Sequence, residues 1–214
     1  MRVLFSFFFS IAVAFSQPPA IVIGFVGGFV RHDNFVHSEV QLAAHLRADY
    51  PAVYVEVFEN RHREKAHREI LRLLDTRHDA RIIIYGHSWG ASETVTLARE
   101  LERDGIPVRL TIQVDSVKKI GEEDSVIPAN VARAANFYQS HGLLRGRQEI
   151  RAADAVRTTI IGNFRFDYKT TPIRCDGYPR FAQVFTKPHI EIECDPSVWS
   201  QVESLIREEL PAVR

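Results

Sequence analysis

Short apolar runs alternate with amphipathic stretches along most of the chain. The apolar runs are rich in β-branched residues or alternate with polar ones, which is typical of strands. They cover 20–29 with the loop that leaves the strand, 53–58, 82–85 and 108–115. Apolar residues at helical spacing predict helices over 34–50, 61–76 and 91–103. Strands and helices in this alternation predict a mostly parallel, doubly wound sheet.

The alternation stops after Asp115. Residues 118–153 hold glycine, proline and charged residues, with a helix expected over 129–139, and we interpret them as an insertion over the active-site end of the sheet. The pattern resumes with a strand over 156–164, a last short strand over 181–185 and a closing helix over 196–210.

The N-terminus differs in kind from the rest of the chain. Arg2 supplies one positive charge, residues 3–15 are almost wholly apolar, and Ala14-Phe15-Ser16 has the small-x-small form of a cleavage site. This pattern predicts a secretory signal peptide over 1–16, followed by a single domain over 17–214 that is exported. An uncleaved anchor is the alternative, but the apolar run is shorter than the roughly 20 residues that a spanning helix needs.

Composition narrows the function classes. The chain has 214 residues and a formal net charge of zero, so nothing in its charge predicts a nucleic-acid partner. It has two cysteines, Cys175 and Cys194. In an exported chain an even pair predicts a disulfide, and the alternative is two buried free thiols.

One motif organises the chain. A β-branched strand runs directly into Gly86-His-Ser88-Trp-Gly90, and a helical pattern follows at once. A serine at the tip of so sharp a turn needs glycine two residues away on either side, because larger side chains would collide with the neighbouring strand and helix. This strand–turn–helix resembles the nucleophile elbow of the α/β-hydrolase family.

The resemblance extends over the mature chain and implies a fold and an order of residues. The fold would be a single-domain α/β-hydrolase that lacks the first two strands of the full sheet, similar to compact cutinase-like or lipase-like members. The family order is a serine, then an acid, then a histidine. Only His141 and His189 follow Ser88, and His189 lies near the C-terminus where the family has its base. His141 is expected at the surface of the insertion.

Two aspartates are serious alternatives for the acid. Asp115 ends the strand after the elbow helix, where catalytic groups of open α/β sheets collect. Asp167 follows the next strand, which is the commoner family position. The sequence favours Asp115, because a clean apolar strand precedes it, and leaves Asp167, Asp154 and Asp176 open.

The resemblance also implies an oxyanion hole made of backbone N–H groups. One donor would be Trp89, the residue after the nucleophile, and the other would be Gly28 or Phe29 in the loop after the first strand. His87 is expected to pack and form hydrogen bonds rather than act as a second base.

Together these residues predict an exported serine hydrolase that cleaves a small-molecule or lipid ester or a thioester through Ser88, His189 and Asp115. A non-catalytic binding protein of the same fold is one alternative, and an acyltransferase or peptidase with the same triad is another. No metal or organic cofactor is expected. His189, Glu191 and Glu193 alternate and would share one face of a strand, but a metal there would not explain the elbow.

Overall fold

The computed structural model describes residues 19–178 and 186–211. Eight strands follow one another in these residues: β1 (Ala20–Val26), β2 (Tyr54–Glu59), β3 (Arg81–His87), β4 (Val108–Val114), β5 (Val126–Ile127), β6 (Val131–Gln139), β7 (Arg151–Ala152) and β8 (Thr159–Phe166). Six of them form one sheet in the order β2-β1-β3-β4-β6-β8, and every pairing in it is parallel. Strands β5 and β7 form a separate parallel pair. The predicted parallel α/β sheet is therefore confirmed.

Helices cover both faces of the sheet. They are α1 (Ser38–Asp49), α2 (Arg63–Leu74), α3 (Trp89–Arg103), α4 (Lys187–Cys194) and α5 (Pro196–Arg207). Apolar residues of α1, α4 and α5 join one buried cluster with one face of the strands, and those of α2 and α3 join a second cluster on the other face. Because successive side chains of a strand point to opposite faces, both faces of β1 and β3 are apolar, as the near-continuous runs in the sequence predicted. None of the helices in the two described ranges is long and apolar enough to cross a bilayer.

The helix expected over 129–139 was wrong, because this segment forms strand β6. Its alanines favour a helix, but Ala134, Ala135 and Phe137 are fully buried between β4 and β8. Pairing with two neighbours and burial on both faces outweigh the intrinsic propensity of a short segment. Strand β6 thus adds a sheet element inside the interval 118–153. The strand expected over 181–185 lies outside the described residues.

Three arginines of the sheet bind Glu209 in the C-terminal segment. Arg109 of β4 and Arg133 of β6 bind the carboxylate of Glu209 at 2.6 and 2.5 Å, and Arg81 of β3 donates to its backbone oxygen at 2.9 Å. All three lie toward the starts of their strands, so this network is at the opposite edge of the sheet from the elbow.

Candidate active site

Ser88 lies at the junction of β3 and α3 with a backbone conformation that L residues rarely adopt, φ 57° and ψ −123°. Added Cβ atoms show why both flanking glycines are required. One at Gly86 would lie 2.6 Å from the carbonyl of Gly90, and one at Gly90 would lie 2.3 Å from the carbonyl oxygen of Phe25. The strained turn is therefore held by backbone packed against backbone, which no larger residue permits.

Two hydrogen bonds connect Ser88 to the predicted histidine and to one of the predicted acids. His189 Nε2 lies 2.9 Å from Ser88 Oγ, and His189 Nδ1 lies 2.6 Å from Asp115 Oδ2. All three side chains are buried, and Asp115 has no exposed surface. The structure thus brings together residues that are 27 and 74 positions apart in the sequence.

Asp115 directly follows β4 and has a positive φ of 44°. Its Oδ1 accepts the backbone N–H of Gln139 at 3.1 Å and that of Gly146 at 3.0 Å, while Oδ2 accepts the side-chain amide of Gln139 at 2.9 Å as well as the His189 ring. A Cβ at Gly146 would lie 2.1 Å from Oδ1. Every lone-pair direction of this buried carboxylate is therefore used, which fixes its orientation toward His189.

The other aspartates lie elsewhere. Asp167 Oδ1 is 3.1 Å from His141 Nε2, in a partly exposed pair that does not contact His189. Asp154 accepts from the backbone two residues on, and Asp176 pairs with an arginine two residues before it. Of the four aspartates, Asp115 alone is hydrogen-bonded to His189 in the described residues.

The loop after β1 lies against the elbow. A Cβ at Gly27 would be 3.5 Å from the Cβ of Ser88, and one at Gly28 would be 2.7 Å from the indole ring of Trp89. Phe29 has φ 60°, is 97% exposed, and places its ring 5.4 Å from that of Trp89. The small residues let this backbone approach Ser88 closely, so the predicted oxyanion residues are neighbours in space.

A cavity of about 580 Å³ opens beside Ser88 and His189. Much of its wall is apolar and comes from the loop after β1, the elbow, the loop after β6 and helix α4; this part comprises Phe29, Val30, Val36, Trp89, Leu144 and Ile190. A largely apolar cleft with a few polar groups is typical of small-molecule sites.

A disulfide joins Cys175 to Cys194, with the Cα atoms 5.8 Å apart, so the predicted bridge is confirmed. Cys194 is the last residue of α4, the short helix that carries His189, and the sequence did not predict this helix. The crosslink ties the histidine-bearing helix to the loop that follows β8.

Because 187–194 is a helix, His189, Glu191 and Glu193 do not share one face. Glu191 accepts the backbone N–H of Ile173 at 3.0 Å. Glu193, one turn after His189, lies instead beside the ring of His37.

Sequence reasoning missed the buried cluster around Glu193, which comprises His37, Glu39, His87 and Glu193. Burial and the neighbouring Glu193 raise the pKa of Glu39 well above its ordinary value, and burial raises the pKa of Glu193 to about 7. Burial lowers the pKa of His37, and burial with the nearby His189 lowers the pKa of His87 well below its ordinary value. His87 packs on the His189 ring, with centroids 4.5 Å apart. The sequence signal that could have pointed to this cluster is Glu193, an acidic residue four positions after the predicted histidine.

Comparison with known proteins identifies the fold. No family model and no curated protein matches the sequence. A cutinase-like protein from Cryptococcus sp. aligns over 95% of this chain and 100% of its own, at 13% identity and a TM-score of 0.53. Human thioesterase 2 aligns over 90% and 95% at 9% identity and a TM-score of 0.47, and an acetylxylan esterase over 92% and 100% at 10% identity and 0.46. The first of these alignments shows that the architecture is that of the α/β-hydrolase fold.

Proposed function

We propose that this α/β-hydrolase is an exported serine hydrolase that cleaves a carboxylic ester or thioester through an acyl-enzyme. The observation that carries the proposal is the hydrogen-bonded series from Asp115 through His189 to Ser88, beside an apolar cavity. A serine hydroxyl needs such a base, and the base needs a partner that fixes its tautomer.

Each residue of the series has a step in the proposed reaction. His189 Nε2 accepts the Ser88 proton as Oγ attacks the substrate carbonyl carbon, and Asp115 holds the Nδ1–H and stabilises the imidazolium. The tetrahedral intermediate collapses, the carbon–oxygen or carbon–sulfur bond to the leaving group breaks, and His189 returns the proton to the departing alcohol or thiol. Water, deprotonated by the same histidine, then releases the carboxylic acid and restores Ser88.

The oxyanion of each tetrahedral intermediate would accept hydrogen bonds from Trp89 N–H and from Gly28 or Phe29 N–H. Trp89 is the first residue of α3, so its N–H is free of the helical hydrogen-bond pattern and lies at the positive end of the helix dipole. The close approach of the loop after β1 to the elbow supports the second donor. Removing one such donor costs about 100- to 1,000-fold in kcat in other hydrolases.

The cavity supports an ester or thioester whose acyl or leaving group is apolar. Its apolar side chains would bury hydrocarbon, at about 25 cal/mol for each Å² removed from water. The signal-peptide pattern over 1–16 and the disulfide support export, because disulfides persist in oxidising compartments.

A fluorophosphonate probe tests the proposal. We expect it to label the purified wild type at Ser88 and to leave Ser88→Ala unlabelled. Ser92→Ala is a matched control, because Ser92 is a buried serine in the first turn of α3 that bonds to Glu122 rather than to His189. A folded wild type that stays unlabelled would contradict a serine hydrolase and leave a binding protein of this fold.

Substrate panels then separate ester hydrolysis from acyl transfer and peptide cleavage. We expect release of p-nitrophenol from p-nitrophenyl esters, with kcat/KM that rises as the acyl chain lengthens to fill the cavity. An enzyme that turns over only in the presence of an added amine or alcohol acceptor would be an acyltransferase, and one that cleaves only peptides would be a peptidase.

A further inference from the structure

A cluster of four ionisable side chains lies beside the candidate active site without belonging to its hydrogen-bonded series. His37 Nδ1 contacts Glu193 Oε1, and one ligand atom each of His37, Glu39 and Glu193 lies within 4.8 Å of the others. His87 Nδ1 lies 3.5 Å from Glu193 Oε2 and 3.9 Å from Glu39 Oε1. We propose that His37, Glu39, His87 and Glu193 bind a divalent transition-metal ion, with zinc as the ion that fits their chemistry.

Two of the distances in the cluster approach those around a tetrahedral ion. Zinc bonds of about 2.0–2.2 Å to nitrogen and oxygen place neighbouring ligand atoms about 3.3–3.6 Å apart. The separations of His87 Nδ1 from the two carboxylates, 3.5 and 3.9 Å, are close to this spacing. His37 Nδ1 and Glu193 Oε1 are in direct contact and would have to move apart, so the ion would bind with side-chain shifts that bring the four ligand atoms around it. Two imidazoles with two carboxylates favour zinc over calcium or magnesium, which prefer sites made wholly of oxygen.

Unpartnered polar atoms point to a ligand. Neither carboxylate oxygen of Glu39 accepts from a nitrogen or hydroxyl donor among the described residues, so its side-chain partner is Glu193, with which it can hydrogen-bond only if one of the two carboxyl groups holds a proton. The ring of His87 likewise has no side-chain hydrogen-bond partner there, although its Nδ1 faces both carboxylates. Glu39 is fully buried and His87 is 3% exposed. Buried polar groups are almost always paired, and each unpaired one costs about 1–3 kcal/mol, so a buried carboxyl pair facing His87 Nδ1 needs an explanation. A metal ion would bind a Glu39 oxygen and a His87 nitrogen.

The two buried carboxylates of the cluster also favour a bound cation. Within residues 19–178 and 186–211, no lysine or arginine pairs with Glu39 or Glu193, and their ion-pair neighbours are His37 and His87. Two carboxylates without a cation are costly to bury. A divalent ion bound by two neutral imidazoles would neutralise the charges of Glu39 and Glu193. Without an ion, the two carboxyl groups would instead share one proton.

The ion would have a route in and would join three segments. His37, His87 and Glu193 line the cavity, so the site is open to solvent from that side. His37 and Glu39 flank the start of α1, His87 ends β3 next to Ser88, and Glu193 lies on α4 with His189. The bound ion would therefore stabilise the base-bearing helix against the elbow.

Metal content and thermal unfolding test the inference without any activity assay. Purified wild type, dialysed against zinc and then against metal-free buffer, should retain about one zinc ion per chain and unfold at a higher temperature than after chelation. Magnesium and calcium should give no such shift. Glu39→Gln keeps the size of the side chain and removes one ligand, so zinc affinity should fall by about 100-fold or more.

Matched variants keep the test falsifiable. Glu191→Gln changes a buried glutamate two residues from Glu193 and outside the cluster, so it should bind zinc like the wild type. If Glu39→Gln does not fold, His37→Gln replaces it, because His37 is only partly buried. A folded wild type that retains no zinc, or Glu39→Gln that binds zinc as tightly as the wild type, would overturn the proposal. Zinc content and thermal unfolding are measured without substrate or probe, so this inference and the proposed function can fail separately.

Discussion

Replacing Asp115 by asparagine tests whether Asp115 or Asp167 is the acid that pairs with His189, the two main alternatives from the sequence. Asparagine has the shape of aspartate but exchanges one acceptor oxygen for an NH₂ donor. The carboxylate accepts from four donors, two backbone N–H groups at Oδ1 and the side chains of Gln139 and His189 at Oδ2. An amide at this position therefore meets at least one donor that it cannot satisfy.

The hydrogen-bond donors around position 115 determine the orientation of that amide. At the Oδ1 position its NH₂ would face two backbone donors that cannot rotate, so it must take the Oδ2 position. Gln139 cannot turn its own oxygen toward it, because that oxygen accepts from the backbone of His141 at 2.8 Å and its NH₂ donates to the carbonyl of Leu144 at 2.9 Å. His189 must then accept a hydrogen bond at Nδ1 and carry its own proton on Nε2. Because Nε2 faces Ser88 Oγ, the histidine can no longer remove the proton of the serine hydroxyl.

A histidine held in this wrong tautomer costs serine proteases about 10,000-fold in kcat, or about 5.5 kcal/mol of transition-state stabilisation. We expect a loss of that order for Asp115→Asn in kcat/KM on a p-nitrophenyl ester, with a similar loss in the rate of fluorophosphonate labelling. Asp167→Asn is the matched control and should stay near wild type, because Asp167 pairs with His141 at the surface. A folded Asp115→Asn with more than about a tenth of wild-type kcat/KM, or a collapse in Asp167→Asn, would refute the assigned acid.

Three stability predictions follow from other contacts. Replacing Cys175 and Cys194 by serine opens a loop with a sequence separation of 19, so the free energy of unfolding in urea should fall by about 3 kcal/mol; an unchanged value would contradict this. Gly90→Ala places a Cβ against the backbone of Phe25 and should cost at least about 3 kcal/mol or prevent folding, whereas Gly105→Ala, at a turn with open space, should cost only the strain of its positive φ. Burial raises the pKa of Glu209, but hydrogen bonds from two arginines outweigh it and hold the pKa below the ordinary 4.5. The stability from this pair is present above pH 4.5 and lost as the pH falls through the lower folded pKa, so Glu209→Gln should cost about 1–2 kcal/mol at pH 7 and progressively less as the pH falls below 4.5; a cost that does not change with pH would exclude the ion pair.

The parts of the fold that local chemistry determines could be predicted from the sequence. The strand before Ser88 is a β-branched run, the glycines allow one sharp turn, and the helix pattern follows directly. These signals lie within about 20 consecutive residues, so no knowledge of distant contacts is needed. The same holds for β1 and β4, whose apolar residues are buried on both faces as their runs predicted.

The parts that depend on distant contacts could not be predicted in this way. Strand β6 reads as a helix from its alanines, and only its position between β4 and β8 makes it a strand. That error concealed Gln139, which ends the strand and holds Asp115 by two hydrogen bonds. Gly146 was also missed because its role depends on a distant contact. A side chain at this position would collide with the carboxylate of Asp115, 31 positions earlier in the sequence.

The topology explains why these groups meet. Strands β1, β3, β4 and β6 are adjacent and parallel in the sheet although they are not all consecutive in the chain, so their carboxyl ends lie along one edge. That edge presents the loop at Gly28, the turn at Ser88, the proposed acid Asp115 and its hydrogen-bond partner Gln139. All four are anchored to strands that pair on both sides, and such strands open only with much of the sheet.

His189 is anchored differently. It lies on α4, an eight-residue helix outside the sheet, and its ring meets Asp115, Ser88 and His87 from the other side of the site. A helix this short has little stability of its own and depends on tertiary contacts. The disulfide at Cys194 and the cluster around Glu193 lie five and four residues after His189, so they act on the segment that the sheet does not hold. Ser88 and Asp115 thus share the stability of the sheet, whereas the position of His189 depends on a crosslink and on the contacts of Glu193 in the neighbouring polar cluster.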